Sequence, residues 1–491
     1  MRRPLLLLLL FGVGSAQAQR IGTVRFPVSC NAPAQGEFNH AVALLHSFAF
    51  GQASEGFQAA LRADPRCGMA WWGIALAAWG NPFAAGLKQP AQLQRGLAAV
   101  SEGRKLGGAT PREAGYLDAV ARLYQKSDSL DQGTRLRAYR DAMAALAAAQ
   151  PADTEAAIFA AVAQAEAADP ADKSYASQLA AGAVLERLFA RLPDHPGLAH
   201  YLIHAYDVPP LAPRAMAAAA RYGEIAPTIS HALHMPSHTY TRVGAWRESI
   251  AANVASADAA HREHSVAEEL HADDYRVYAA LQTCQDSAAA ALLAEVAVLA
   301  PQMDPNAVGT GAPPSAGYFA IAAIPARWAL ERGDWAAAAR LEVHPSPPPF
   351  ADAVSWFAKG IGGARSGDTA TARAAIAALD SIGARLTRGG EKYWAEQLAI
   401  QRGGVAAWLA FASGERERGL SELRAVAERE DATEKNAITP GPLAPARELL
   451  GEMLLEAGRG AEARQEFAAT LRKEPGRQRS LAGTTGRGRC G

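Results

Sequence analysis

The chain has 491 residues, 49 basic and 49 acidic side chains, 49% apolar and 20% charged residues, 44 Gly, 29 Pro and 4 Cys. This is too apolar and too evenly charged for a disordered chain, and too poor in cysteine for a mini-scaffold built on disulfides. A formal net charge of zero removes the broad basic surface that draws proteins to nucleic acid or anionic lipid, and the length requires two or more domains or a quasi-linear repeat array.

Residues 1–18 carry Met1-Arg2-Arg3, an apolar run from Leu5 to Val13 and Ser15-Ala16-Gln17-Ala18. A charged start, an apolar stretch too brief to span a bilayer and a small-x-small ending predict a secretory signal cleaved after Ala18. The mature chain is then expected across the inner membrane, in the periplasm. No later stretch has 18 uninterrupted apolar residues, so no membrane span is expected, and the absence of cysteine at the cleavage site argues against a lipid anchor. In an oxidising compartment the four cysteines can pair. Cys30 before the first helix and Cys67 at the start of a later one make a clamp sterically reasonable; the alternative is that Cys67 is a small buried residue. Cys284 and Cys490 are far apart, and Cys490 lies in a Gly/Arg-rich tail.

After a lead segment at 19–36, Ala is the commonest residue, β-branched runs are scarce, and Gly and Pro fall at short intervals between amphipathic stretches. That pattern predicts an all-α chain. Phrases of the type Gly-x-(aromatic or polar)-x-x-Ala recur, as at Gly244-Ala245-Trp246, Gly333-Asp334-Trp335 and Gly367-Asp368-Thr369, and prolines close second helices at Pro65, Pro227 and Pro475. Pro193 and Pro227 are 34 residues apart; between them Leu202, Ile203 and Tyr206 occupy packing positions, and the next unit keeps Tyr240, Gly244, Trp246 and Ser249. In these features the chain resembles the tetratricopeptide-repeat family, whose unit is a helix hairpin with small residues where helices touch. The resemblance implies a right-handed superhelix of helix hairpins, an α-solenoid with a concave groove that commonly takes a peptide or protein ligand. It divides the chain into hairpins at 37–190, a histidine-rich centre at 191–300, further hairpins at 301–475 and a flexible tail at 476–491. Residues 81–115, 261–275 and 300–318 break the period and predict longer loops or elongated helices. Trp71-Trp72-Gly73-Ile74-Ala75 and His231-Ala232-Leu233-His234-Met235-Pro236-Ser237-His238 also resemble segments of uncharacterised exported bacterial repeat proteins, a likeness that carries no activity with it.

Nine of the 12 histidines lie between His195 and His271, where an even spread would place about two. Counted from the helix-closing prolines, His200, His204 and Asp207 fall on one face of one first helix, and His231, His234 and His238 on the equivalent face of the next, because residues four and seven apart share a helix face. In the resembled family these positions face the groove. Imidazoles and a carboxylate converging from two rigid helices is how helix bundles assemble metal sites. Neutral imidazole suits divalent transition metals, Zn²⁺ or Cu²⁺ first among them. The expected ligands are His200, His204, His234 and His238, with Asp207 or His231 as a further ligand or tautomer-fixing partner, and His271 at the groove mouth if the following helix starts near it.

Two other readings stand beside this one. The imidazoles can line a polar groove that binds peptide without metal, or sit in the interior bonded to backbone carbonyls. His46 is expected to be a structural polar residue, His195 a helix-start residue and His344 exposed in a Pro-rich loop. Pro236 removes a backbone hydrogen bond and is expected to push Met235 out of helical angles. Glu268, Glu269, Asp273 and Asp274 offer a base for a metal-bound water if the site is hydrolytic, or simply complement a helix N-terminus. Phosphate loops, His-Glu-x-x-His, nucleophile elbows and Cys-x-x-Cys pairs are all missing. Three functions therefore compete: a metal-binding module, a peptide-binding scaffold and a metal-dependent enzyme.

Overall fold

The computed structural model describes residues 19–84, 86–486 and 488–490; the expected signal at 1–18 lies outside the described residues. Among them the chain is all-helical, without a strand, and no helix is long and apolar enough to cross a membrane. Local chemistry accounts for many helix starts. Asn31, Thr110, Asp131, Asp153, Asp334 and Asp368 each accept a backbone N–H of the first turn, satisfying a donor that has no partner within the helix. Pro90, Pro111, Pro196 and Pro314 each open a helix, where the missing N–H costs nothing.

Successive helices pack as neighbours, from Ala32–His46 against Phe50–Ala63 to Ala446–Glu456 against Gly460–Lys473. Small residues set how closely they approach. A Cβ on Gly182 would lie 2.2 Å from the Tyr206 ring, and Gly244, at φ +75°, closes the Pro236–Val243 helix in the left-handed region with its missing Cβ 2.7 Å from the Pro475 carbonyl. Two large apolar cores result, one running from Ile21 to Met235 and one from Ala312 to Phe467, with a smaller one around Leu270, Val277, Leu292 and Ile324.

Several contacts join residues more than 200 positions apart. Gly51 N donates to the Gly309 carbonyl (2.8 Å), Asn81 Nδ2 to the Gly311 carbonyl (2.9 Å), and Lys173 Nζ and Tyr175 OH both reach Glu434 (2.9 and 2.7 Å). The two large cores are thus drawn together by segments around 81–88, 303–313 and 432–445, much of which breaks the helical period. Of the other period-breaking stretches, 261–275 is mostly helical, within Trp246–Arg262 and Val266–Gln282.

Cys30 pairs with Cys67 and Cys284 with Cys490. The second bond, together with a helix at Gln478–Thr485, gives the described part of the tail, expected to be flexible, a fixed attachment. Sequence does not bring Cys490 near Cys284; Arg489 does so in space, donating to the Leu281 carbonyl and Asp286.

Candidate metal centre

The histidines sit on short, well-defined helices. Pro196–Ala205 carries His200 and His204; Ser230–His234 carries His231 and His234; Pro236–Val243 carries His238; Val266–Gln282 carries His271. Pro236 does divide the second hairpin into two helices, but Met235 keeps helical angles (φ −52°, ψ −37°), contrary to the expectation that it would be displaced. The break is a missing hydrogen bond, not a change of backbone region, so His234 and His238 stay on one face.

All six imidazoles lie in the interior, between 0 and 8% exposed. This corrects the expectation of an open groove wall: the period-breaking segments cover them. Their nitrogens gather as two groups, His200 with His204 and His231, and His234 with His238 and His271, each with one nitrogen per ring within 4.8 Å of the others. The four-histidine set expected from helix register is therefore redistributed. His231 groups with His200 and His204 of the Pro196–Ala205 helix, and His271 completes the group of His234 and His238. The Val266–Gln282 helix starts at Val266, so His271 lies in its second turn and points inward instead of standing at a groove mouth.

Asp207 belongs to neither group. Its helix ends at Ala205, so the shared-face argument does not reach it. Instead its carboxylate accepts from His238 Nδ1 (2.9 Å), Arg242 Nε (2.8 Å) and Lys435 Nζ (3.0 Å). Burial opposes ionisation of Asp207, but Lys435 and Arg242 hold its carboxyl well below the ordinary range. Lys435 itself is pushed down to about 8 by burial, against the pull of Asp207.

Hydrogen bonds on one side of each ring determine what the other side offers. His200 Nδ1 donates to the His46 carbonyl (2.6 Å), leaving Nε2 unpartnered. His234 Nδ1 donates to Asn253 Oδ1 (2.6 Å); the amide is oriented by Asn253 Nδ2 donating to the Ser249 carbonyl (2.8 Å). His238 Nδ1 donates to Asp207. With both Nδ1 atoms protonated, the Nε2 atoms of His234 and His238 carry lone pairs and face each other at 3.0 Å, with Tyr275 OH 3.4 Å from His238 Nε2 and 3.1 Å from the Ala437 and Thr439 carbonyls. His204 Nε2, both nitrogens of His231 and His271 Nδ1 also have no hydrogen-bond partner. Each orphaned buried polar atom costs about 1–3 kcal/mol.

Protons do not supply the missing partners at neutral pH. Burial first, then the neighbouring imidazoles, holds His200, His204, His234 and His271 well below the ordinary histidine value. His238 is lowered to about 4 by burial, although Asp207 pulls the other way. At these five rings the chemistry left is that of neutral imidazoles with lone pairs aimed at common points.

A third group, unanticipated from the sequence, gives a contrast. His46, Glu155 and His195 also cluster. Here Glu155 accepts from His46 Nε2 (2.9 Å) and His195 Nε2 (3.0 Å), and Tyr201 OH donates to His46 Nδ1 (3.0 Å). Burial of Glu155 is outweighed by these two imidazoles, which hold its carboxyl at about 2. Glu155 and His46 are thus fully paired, and of this group's atoms only His195 Nδ1 is left without a partner. His195 is also the residue before Pro196, at the helix start as expected; His344 and His261 are exposed.

Of the four candidate acids only Glu268 approaches the imidazoles, with Oε2 3.7 Å from His231 Nδ1 while Oε1 accepts from Ala312 N (2.8 Å). Asp273 pairs with Arg276 (2.7 Å), Asp274 with the fully buried Arg327 (2.6 Å), and Glu269 with His261 (3.3 Å). Phe48 stacks on His204 and His231, and Phe83 on His204 at 4.2 Å, giving one side of the centre an apolar wall. Asn253, Lys435, Phe48 and Phe83 carry no sequence signal of their own; only i,i+4 spacing and density marked the histidines. No family model matches the chain, and no curated protein matches it significantly.

Proposed function

We propose that this is an exported metal-binding protein on a tetratricopeptide-like superhelical frame, and that His200, His204, His231, His234, His238 and His271 hold a transition metal, copper or zinc. One observation carries the proposal: the Nε2 atoms of His234 and His238, both stripped of hydrogen by what their Nδ1 atoms bond to, converge at 3.0 Å in a buried site. Two lone pairs at that distance repel unless a cation lies between them. Metal–nitrogen bonds of about 2.0–2.1 Å place tetrahedral ligands about 3.3 Å apart, close to what is already there. Asp207 is assigned to orienting His238, a carboxylate–histidine–metal arrangement that fixes ring and tautomer.

Export and a periplasmic location rest on the N-terminal sequence and are supported by the pairing of all four cysteines. Peptide recognition through these imidazoles has less support, since almost none of their surface is exposed. The test is elemental analysis of protein expressed in metal-replete medium, with thermal denaturation before and after chelation. Stoichiometric metal and a lower Tm on its removal are expected. Protein that purifies without metal and shows no Tm shift with Zn²⁺ or copper refutes the proposal.

A further inference from the structure

The two histidine groups are as close to each other as their members are among themselves. Within the groups ring centroids lie 4.4–6.5 Å apart; across them His204 is 5.8 Å from His238 and His231 is 6.2 Å from His234. A small cavity lies where they meet, with room for the centre of a single water-sized molecule, about 10 Å³. Two members of each group line it, His204 and His231 from one and His238 and His271 from the other, together with Asn81 and Gly311, which are hydrogen-bonded to each other.

Resting on the metal reading above, we propose that the six imidazoles form one two-ion centre for a pair of copper ions, three imidazoles to each ion, with the cavity as a shared position for a small bridging ligand such as water or hydroxide. Three ligands per ion leave a coordination position free on each, as open metal sites do, and the cavity is bounded by both groups. The donor set is all nitrogen, which suits copper better than the carboxylate-preferring ions Mg²⁺, Ca²⁺ or Mn²⁺. Charge points the same way. Neutral imidazoles offset no positive charge, Asp207 is already matched by Arg242 and Lys435, and among the described residues Glu268 is the one carboxylate close to these imidazoles without a Lys or Arg partner. Two buried divalent ions would set four positive charges against it; two Cu(I) ions set only two.

The full chain, stripped of metal, is titrated anaerobically with Cu(I) against a chromogenic Cu(I) chelator. Two Cu(I) per chain are expected for the native sequence, one for His200→Ala and one for His271→Ala, and none for the double variant. A plateau at one Cu(I) in the native chain overturns the pair and leaves the metal reading standing; uptake of Zn²⁺ but not Cu(I) overturns the copper pair with the same remainder; uptake of neither overturns both. Proximity is read without any variant by electron paramagnetic resonance of the native protein loaded with Cu(I) and then oxidised with ferricyanide. Spin-coupled or silent copper is expected, whereas two full uncoupled spins per chain overturn the shared centre.

Discussion

A buried imidazole has two nitrogens to satisfy, and the surroundings of His204 and of Glu155 meet that demand in opposite ways. His204 lies between Phe48 and Phe83 with an unpartnered Nε2. Replacing it with Ala leaves a cavity but also removes an orphaned polar atom, so in the metal-free protein we expect a cost of about 1–2 kcal/mol by denaturant unfolding, with a much larger loss when metal is present. Glu155→Ala strands two imidazoles that donated to it and should cost about 3–5 kcal/mol whether or not metal is added. Equal metal dependence in the two variants would contradict the assignment of roles. Protonation gives a second measure. His238, at about 4 in the folded protein against an ordinary 6.5, binds its proton more readily in the unfolded chain. Its contribution to stability is complete above pH 6.5 and is lost as pH falls toward 4, by about 3 kcal/mol. His200, His204, His234 and His271 are shifted in the same direction. The metal-free protein should therefore lose stability steeply below pH 6.5, with unfolding accompanied by uptake of several protons; a flat profile from pH 7 to 5 would contradict neutral, buried rings.

Elements rather than residues decide where the imidazoles point. The short helices at Pro196–Ala205, Ser230–His234 and Pro236–Val243 present pairs four residues apart, and this much was legible in the spacing of His200 with His204 and His234 with His238. Register could not show that His231 groups with the histidines of the earlier helix or that Asp207 falls past a helix end, because both depend on how the hairpins pack. Nor could it show the cover. Gly311 sits against His231 so closely that a Cβ there would lie 2.5 Å from the ring. Gly311→Ala should displace His231 and weaken metal binding about tenfold, about 1.4 kcal/mol, while barely moving the Tm of the metal-free protein; unchanged affinity would separate this loop from the centre.

Across the whole molecule, stretches far apart in sequence close over the histidines, and two disulfides tie the chain. The Cys284–Cys490 bond spans 206 residues and Cys30–Cys67 spans 37. Chain entropy assigns about 5 and about 4 kcal/mol to loops of these lengths. Replacing Cys284 and Cys490 with Ser should lower the calorimetric Tm more than replacing Cys30 and Cys67, with metal stoichiometry unchanged in both; loss of metal in either pair of variants would couple the centre to the disulfides.

Composition and period by themselves determined that this chain is helical and that its histidines are concentrated on neighbouring helices. Those properties are local: a cap, a proline or an i,i+4 pair acts within a few residues. Which imidazoles share a point, that Asn253 and Asp207 set the tautomers of His234 and His238, that Lys435 stands 3.0 Å from an aspartate 228 residues away, and that Asn81 and Gly311 line the cavity were decided only by the tertiary structure. Packing brings those groups together through contacts whose partners leave no periodic trace along the chain.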